Sequence, residues 1–182
     1  MRAIRALVLL GALVAALVPE FRRYSPGFLR ERSAEREIRV ASGAFRIVVS
    51  RPQEVSDPAD ALSRIVEIAH SAAAKLPADP RPRILAGSAK LVSGDPPGAL
   101  QEYRLARNMG ERAEIDLNIA RAYDAVGEVE KARAAYVRAA WISPALLAFL
   151  LPDVAEPIGR EVARLETELK SGRLKEPPPM PE

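Results

Sequence analysis

The residues that could perform acid–base or metal chemistry in this chain are few and are not grouped. His70 is the only histidine, and the sequence contains no cysteine. A histidine catalyst or a metal ion would need further ligands or a nucleophile converging on that side chain. Aspartates and glutamates are scattered singly, mostly beside arginine or lysine, as is typical of surface ion pairs. The sequence therefore predicts no catalytic residue, no metal site and no cofactor.

Motifs for phosphate or acyl chemistry are missing as well. The sequence has neither a glycine-rich loop followed by Lys and Ser or Thr nor a Gly-x-Ser-x-Gly motif. Residues 94–98, Gly-Asp-Pro-Pro-Gly, indicate a turn. The net charge of +3 is small and the two signs are interspersed, which does not indicate nucleic-acid binding. We expect a non-enzymatic protein that takes neither nucleic acid nor a small-molecule substrate.

The clearest structural signal is a helical hairpin between residues 116 and 144. Residues on one face of its first helix recur three and four positions apart. Gly127 interrupts this pattern, and the same spacing then defines one face of a second helix. Small residues occur where the backbones would come close, and tyrosines occur where a gap must be filled. The residues that define the hairpin are Ile119, Ala120, Tyr123, Gly127, Ala132, Tyr136, Ala139 and Pro144.

Part of this pattern occurs twice, at a spacing of 33 residues. The matched pairs are Gly94 and Gly127, Ala99 and Ala132, Tyr103 and Tyr136, and Ala106 and Ala139. The pattern resembles the tetratricopeptide repeat, and the resemblance implies an all-α solenoid of stacked hairpins that binds a protein or peptide. We place the repeats at about 80–112 and 113–146. In the first, Gly87 could fill the small-residue place, but Lys90 replaces the tyrosine and Glu111 replaces the closing proline.

The resemblance also implies a concave groove lined by the first helix of each repeat. The candidate partner-binding residues on these helices are Arg81, Ile84, Ser88, Glu114, Leu117, Asn118, Arg121 and Asp124. Some family members grip a terminal carboxylate with paired Lys and Asn residues. Asn118 matches one such Asn, but Ile84 and Ser88 stand where the first Lys and Asn would be, so we do not expect that mode. Arg133 and Arg138, on the second helix, are expected to face outward.

The amino-terminal segment, residues 1–23, is typical of an export signal or a membrane anchor. Residues 6–18 are uninterrupted apolar sequence after a basic lead. The apolar run is shorter than the ~20 residues of a usual spanning helix, and its cleavage end is poor. We favour an uncleaved anchor; a cleaved signal and a buried soluble helix remain alternatives. Arg22 and Arg23 would place the repeats in the cytoplasm, but the signal-like layout favours the periplasmic side of the inner membrane.

The next segment, residues 24–55, is predicted to contain a short helix followed by a small β-hairpin. Ser25 and Pro26 could start an exposed helix over residues 28–39. Alternation of apolar and polar residues around 38–40 and 45–49, on either side of a Ser-Gly turn, predicts a small β-hairpin. Such a hairpin could offer an edge to a partner strand. A linker without regular structure is the alternative.

A helical domain over residues 56–172 completes the prediction, followed by a proline-rich disordered tail at 173–182. Asp57 and Pro58 begin a helix that ends at about residue 76 and is either half of an earlier repeat or a cap. The apolar residues 146–151 form either a buried turn or a patch that faces a membrane or partner. Pro157 opens an amphipathic capping helix over about 157–170.

Overall fold

The computed structural model describes residues 25–181, and every regular element in that range is helical. In this range seven α-helices follow one another: α1 Pro26–Ser50, α2 Pro58–Lys75, α3 Arg81–Val92, α4 Pro96–Arg107, α5 Ala113–Ala125, α6 Val129–Ile142 and α7 Pro152–Lys170. Short 3-10 helices occupy Pro52–Glu54 and Pro144–Phe149. The all-α prediction is confirmed for these residues, whereas the predicted anchor segment 1–23 lies outside them.

Helix α1 is continuous, so the prediction of a β-hairpin within residues 38–49 is wrong. Its start follows the predicted pattern, because the Ser25 hydroxyl accepts a hydrogen bond from the Phe28 amide at 3.2 Å and Pro26 lies in the first turn. The predicted turn at Gly43 is simply a helical position, with open space where a Cβ would be.

The physical reason for the error is that the apolar residues of α1 fit two periods at once. The helical period is the one that is buried, through Ala34, Ile38, Ala41 and Val48. The residues that create the alternation, Val40, Ile47 and Val49, stay exposed. A lone hairpin is marginal in water, whereas the helix buries these four residues against α2 and α3.

The helices form three stacked hairpins, α1–α2, α3–α4 and α5–α6, and α7 packs on α6. Helix α2 therefore completes a hairpin that precedes the two predicted repeats, with α1 as its first helix. One hairpin cannot bury its own apolar face, and stacking provides the missing partner. The largest group of buried apolar residues spans α4 to α7, and a second group joins α1, α2 and α3.

The spacing of 33 residues is also visible in the backbone of the two interhelical turns. Gly94 has φ 84° and Gly127 has φ 78°, a conformation that glycine adopts without strain. The Gly94 amide donates to the Leu91 carbonyl and the Asp95 amide to the Lys90 carbonyl. The amides of Gly127 and Glu128 make the equivalent bonds to the carbonyls of residues 124 and 123. The two turns are therefore copies of one structure.

The carboxy-terminal elements differ from the prediction in their bounds. Helix α7 begins at Pro152, so Pro157 lies inside it and cannot donate a hydrogen bond to the Asp153 carbonyl. Ile158 and Val162 are its buried residues. None of the helices described, which begin at residue 26, is long and apolar enough to cross a membrane.

The apolar segment 146–151 divides between the two predicted environments. Leu146, Leu147 and Leu150 are half-buried and pack against the main core. Phe149 and Leu151 are 71% and 74% exposed. The segment therefore covers the end of the last hairpin with one side and presents two large apolar side chains to the surroundings with the other.

Candidate partner-binding surface

The first helices of the three hairpins form one layer of the array. Helix α3 contacts both α1 and α5 within this layer, whereas the second helices α2, α4 and α6 approach one another less closely. A closer approach of the first helices is the arrangement that a groove on their side requires. The predicted groove residues belong to α3 and α5, which are both members of this layer.

The three candidates on α3 are occupied by contacts within the chain. Arg81 pairs with Asp79 at 2.6 Å and also with Glu35 on α1, so it ties two first helices together. Ile84 is half-buried and packs against the main core. The Ser88 hydroxyl lies 3.2 Å from the Tyr103 hydroxyl. None of these side chains is free to meet a partner without giving up an internal contact.

The candidates on α5 differ in how far they can reach a partner. Leu117 is only 6% exposed and belongs to the core. Glu114 is exposed and lies 3.4 Å from Arg112. Asn118 is half-buried, while Arg121 and Asp124 are exposed. The predicted residues that a partner could reach are therefore on α5, where they follow one another at intervals of about one helical turn.

Two tyrosine hydroxyls place a polar centre beside this row. The Tyr136 hydroxyl donates to the Asp124 carboxylate at 2.6 Å, and Tyr103 meets Ser88 one repeat earlier. Burial raises the pKa of both tyrosines, and the Asp124 carboxylate raises that of Tyr136 further. The charge of Arg121 opposes both shifts. Both phenols stay protonated and act as neutral hydrogen-bonding groups.

A buried carboxylate that the sequence did not reveal joins three helices. Glu102 on α4 is 3% exposed and lies 2.8 Å from Arg83, 2.8 Å from His70 and 3.1 Å from Lys90. Burial alone would raise the pKa of Glu102, but the hydrogen bonds from Arg83, His70 and Lys90 outweigh it and lower that pKa below 4.5. A carboxylate held by two cations and an imidazole links the three helices that carry them.

A sequence signal for this cluster exists in the comparison of the repeats. Lys90 stands where the second repeat has Tyr123, and Glu102 stands where it has Ala135. The first repeat thus replaces an aromatic residue and a small residue with an ion pair. His70 does have converging partners, but they are an acid and two bases already bound to one another, with no nucleophile among them.

A second buried carboxylate lies between the two repeats. Asp116 is fully buried, with Arg107 Nε 3.1 Å from one oxygen and Arg138 Nε 3.9 Å from the other. Neither approach has hydrogen-bond geometry. Burial therefore outweighs the two guanidiniums and raises the pKa of Asp116. Arg138, predicted to face outward, is instead 9% exposed and also pairs with Glu111.

The proline-rich tail, predicted as a disordered end, packs on the body in this structure. The Arg138 guanidinium donates to the Pro178 carbonyl at 2.8 Å. Met180 packs against the main core, near residues of α4 and α5. A cavity of about 820 Å³ remains between the first part of the tail and helices α6 and α7. The tail thus contacts α6 through the Pro178 carbonyl and lies near α4 and α5 through Met180.

The described residues offer little for chemistry or for a bound ion. Within residues 25–181, no group of His, Asp and Glu side chains is arranged to hold a metal ion. Comparison of the chain with protein-family models, with curated proteins and with solved structures gives no match. The arrangement of the first-helix layer is therefore the basis on which a function can be argued.

Proposed function

We propose that this chain is a non-catalytic scaffold of the cell envelope that binds a protein or peptide on its first-helix layer. The observation that carries the proposal is the state of Arg121. Its side chain is exposed, has no ion-pair partner within the described range, and lies on α5 three residues before Asp124, whose carboxylate binds the Tyr136 hydroxyl. An exposed guanidinium without an ion-pair partner is available for a carboxylate or carbonyl of another chain.

The neighbours of Arg121 support a polar, peptide-like ligand. Asn118 lies one turn before it on α5, and Asp124 lies one turn after it with one carboxylate oxygen bonded to Tyr136. Together these three side chains provide donors and acceptors along a single helical row. An extended backbone presents alternating carbonyl and amide groups that such a row can bind. Acceptors and donors of this kind are not arranged around a nucleophile, so we propose binding without catalysis.

Photo-crosslinking in cells tests this proposal. A photoreactive residue at Arg121 should produce a discrete crosslinked product with one partner. The matched control is Arg64 on α2, a second-layer residue with 71% side-chain exposure. A product from Arg121 alone supports the first-helix layer as the binding surface. Products from neither position, or the same product from both, would reject it.

We also propose that residues 6–18 hold the chain in the inner membrane with the helical array on the periplasmic side. Because the chain has no cysteine, one introduced at the exposed Arg64 position would be its only thiol. A membrane-impermeant maleimide should label that thiol in cells with a permeabilised outer membrane and an intact inner membrane. Labelling only after the inner membrane is opened would place the array in the cytoplasm instead.

A second candidate function is that of an accessory subunit of a membrane complex. The observation that favours it is the pair Phe149 and Leu151, both largely exposed next to a half-buried apolar segment. In such a complex these side chains would be covered by a partner subunit. Replacement of both by serine should then release the chain from the complex on detergent extraction. If the native chain extracts as a lone monomer, the accessory-subunit function is excluded.

A further inference from the structure

The outward face of α1 combines an arginine row with an apolar row. Arg32, Arg39 and Arg46 recur every seven residues, and all three are exposed. Leu29, Val40 and Ile47 are 52%, 62% and 47% exposed. Seven- and eleven-residue spacings keep each set on one side of a helix, so the two rows run next to each other along α1.

The arginine row is not neutralised by the protein. Two of the three acidic residues of α1, Glu35 and Glu37, are paired with Arg81 on α3 and Lys75 on α2. Arg39 and Arg46 have no ion-pair partner among residues 25–181, and Arg32 lies over the Phe28 ring at 5.5 Å. Glu35 and Glu37 are thus bound to other helices of the array, whereas Arg32, Arg39 and Arg46 are exposed.

The charge of the whole chain is divided in the same way. Residues 1–51 contain ten basic and four acidic side chains, whereas residues 52–182 contain 17 and 20. The net charge is therefore +6 before residue 52 and −3 after it. These two values partly cancel, which gives the small overall charge of +3. The positive part comprises α1 and the segment that carries the apolar run 6–18.

We infer that the outward face of α1 lies on an anionic lipid surface. An amphipathic helix with arginines beside apolar side chains is suited to the boundary between lipid headgroups and acyl chains. The inference rests on the anchoring part of the proposed function, because only a few residues separate residue 18 from the start of α1 at Pro26. A tether of that length would hold the arginines near the headgroups.

Two other ways of covering this face are disfavoured by charge. Residues 1–24 contain four basic residues and one acidic residue, so the chain's own amino terminus would bring like charge to the arginine row. A second copy placed face to face would do the same. The exposed apolar row of α1 beside its arginine row matches a covering of opposite charge with an apolar interior.

The experiment uses the full chain with one introduced cysteine, which is the only thiol because the natural chain has none. A fluorophore is attached at Val40→Cys on the outward face or at Val129→Cys, 66% exposed on α6, as the control site. Vesicles contain phosphatidylcholine alone or with phosphatidylglycerol, and brominated lipids quench a probe that enters the bilayer. Vesicle flotation measures membrane attachment separately.

The test variant replaces Arg32, Arg39 and Arg46 with Gln. The matched control replaces Lys131, Lys170 and Lys175 with Gln and removes the same amount of charge outside α1. Circular dichroism verifies that both variants keep the helical content of the natural chain. We expect quenching at position 40 only with phosphatidylglycerol, its loss at high salt, and a fall to the phosphatidylcholine level in the α1 variant but not in the control.

Several results would overturn the inference. These are equal quenching with both lipids, quenching unaffected by the α1 variant, and no quenching on vesicles that carry the chain by flotation. A probe at position 40 that is already shielded without vesicles would show that the chain itself or a second copy covers the face. Failure to float would overturn both this inference and the proposed anchoring. Retained crosslinking at Arg121 with no quenching would reject the lipid contact alone.

Discussion

Gly87 and Tyr103 pack so closely that one carbon atom added at Gly87 should destabilise the protein. A Cβ at Gly87 would lie 2.6 Å from Cε1 and 2.8 Å from Cδ1 of a ring that is only 1% exposed. The ring belongs to the first repeat's core and its hydroxyl is fixed by Ser88, so it cannot turn away freely. We expect Gly87→Ala to lower the free energy of unfolding by about 1–2 kcal/mol, since overpacking costs more than the helix gains from alanine.

Denaturant unfolding followed by circular dichroism measures this change, and Gly159→Ala is the matched control. Gly159 lies inside α7, and its Cβ would meet the Leu147 side chain at an ordinary distance of 3.5 Å. That variant should be neutral or more stable by about 0.5–1 kcal/mol. Equal effects of the two alanines would mean that the Tyr103 ring does not occupy the space at Gly87.

Glu102 should give the protein part of its sensitivity to acid. Its pKa is lowered in the folded chain, so its ionisation stabilises the fold above an ordinary carboxyl pKa of 4.5, and this contribution is lost as pH falls through the folded value. Glu102→Gln removes the negative charge that binds the cations Arg83 and Lys90 and the His70 imidazole. We expect a loss of about 1–3 kcal/mol at neutral pH, discounted for the partial exposure of those cations.

Thermal unfolding as a function of pH tests this expectation. The melting temperature of Glu102→Gln should fall less steeply than that of the natural chain below pH 4.5. The control is Glu67→Gln, an exposed side chain on α2. Parallel pH curves for the natural chain and the Glu102 variant would show that the cluster contributes no charge-dependent stability.

At the scale of the element, substitutions at Gly43 test whether residues 38–49 form a helix or a hairpin. The two structures predict opposite effects of proline on stability. Gly43 is an unhindered helical position with nothing near a Cβ. Gly43→Ala should therefore stabilise the protein by about 0.5–1 kcal/mol, and Gly43→Pro should destabilise it by about 3 kcal/mol or more. In a hairpin turn, proline would be tolerated far better than in the middle of a helix. Chemical unfolding of the two variants gives both values.

Arg138 connects the tail to the interior of the array. It donates to the Pro178 carbonyl and lies beside Asp116 and Glu111. Arg138→Met keeps the aliphatic volume but leaves the buried Asp116 with one cation, so we expect a loss of about 1–3 kcal/mol and release of the tail. Trypsin should then cut faster after Lys175 than in Arg160→Met, a control that loses only an exposed pair with Glu156. Equal cleavage rates would show that Arg138 does not hold the tail.

The elements that the sequence predicted well are those with strong local signals. Gly94 and Gly127 marked the turns because few residues tolerate that backbone, and Asp57 marked a helix start because its carboxylate accepts the Asp60 amide at 3.0 Å. The second half of α1 was missed because its apolar residues satisfy two periods and only α2 and α3 decide between them. The Glu102 cluster and the tail contact depend on distant residues, which local spacing cannot bring together.

At the scale of the whole molecule, the buried apolar side chains within residues 25–181 form two large cores and one small group, Ala34, Ile38 and Ala72, between α1 and α2. One group of buried residues joins α1, α2 and α3, and includes Ile65 at 1% exposure. The other spans α4 to α7 and includes Ile115, which is fully buried. In a stacked array each hairpin is stabilised mainly by its neighbours, so destabilisation should stay close to where it is introduced. The Glu102 cluster crosses the boundary between the two cores, and it limits how independent they can be.

Hydrogen exchange measured by mass spectrometry on Ile65→Ala and Ile115→Ala tests this division. Each substitution should cost about 2–5 kcal/mol, because it removes a fully buried side chain and leaves a cavity. For Ile65→Ala, exchange should accelerate in α1, α2 and α3 while α5 and α6 keep their protection. For Ile115→Ala, the acceleration should centre on α4 to α7. If either variant accelerates exchange uniformly, the array opens as one cooperative unit, joined across α3 and α4 by the packing of Gly87 on Tyr103 and by the Glu102 cluster.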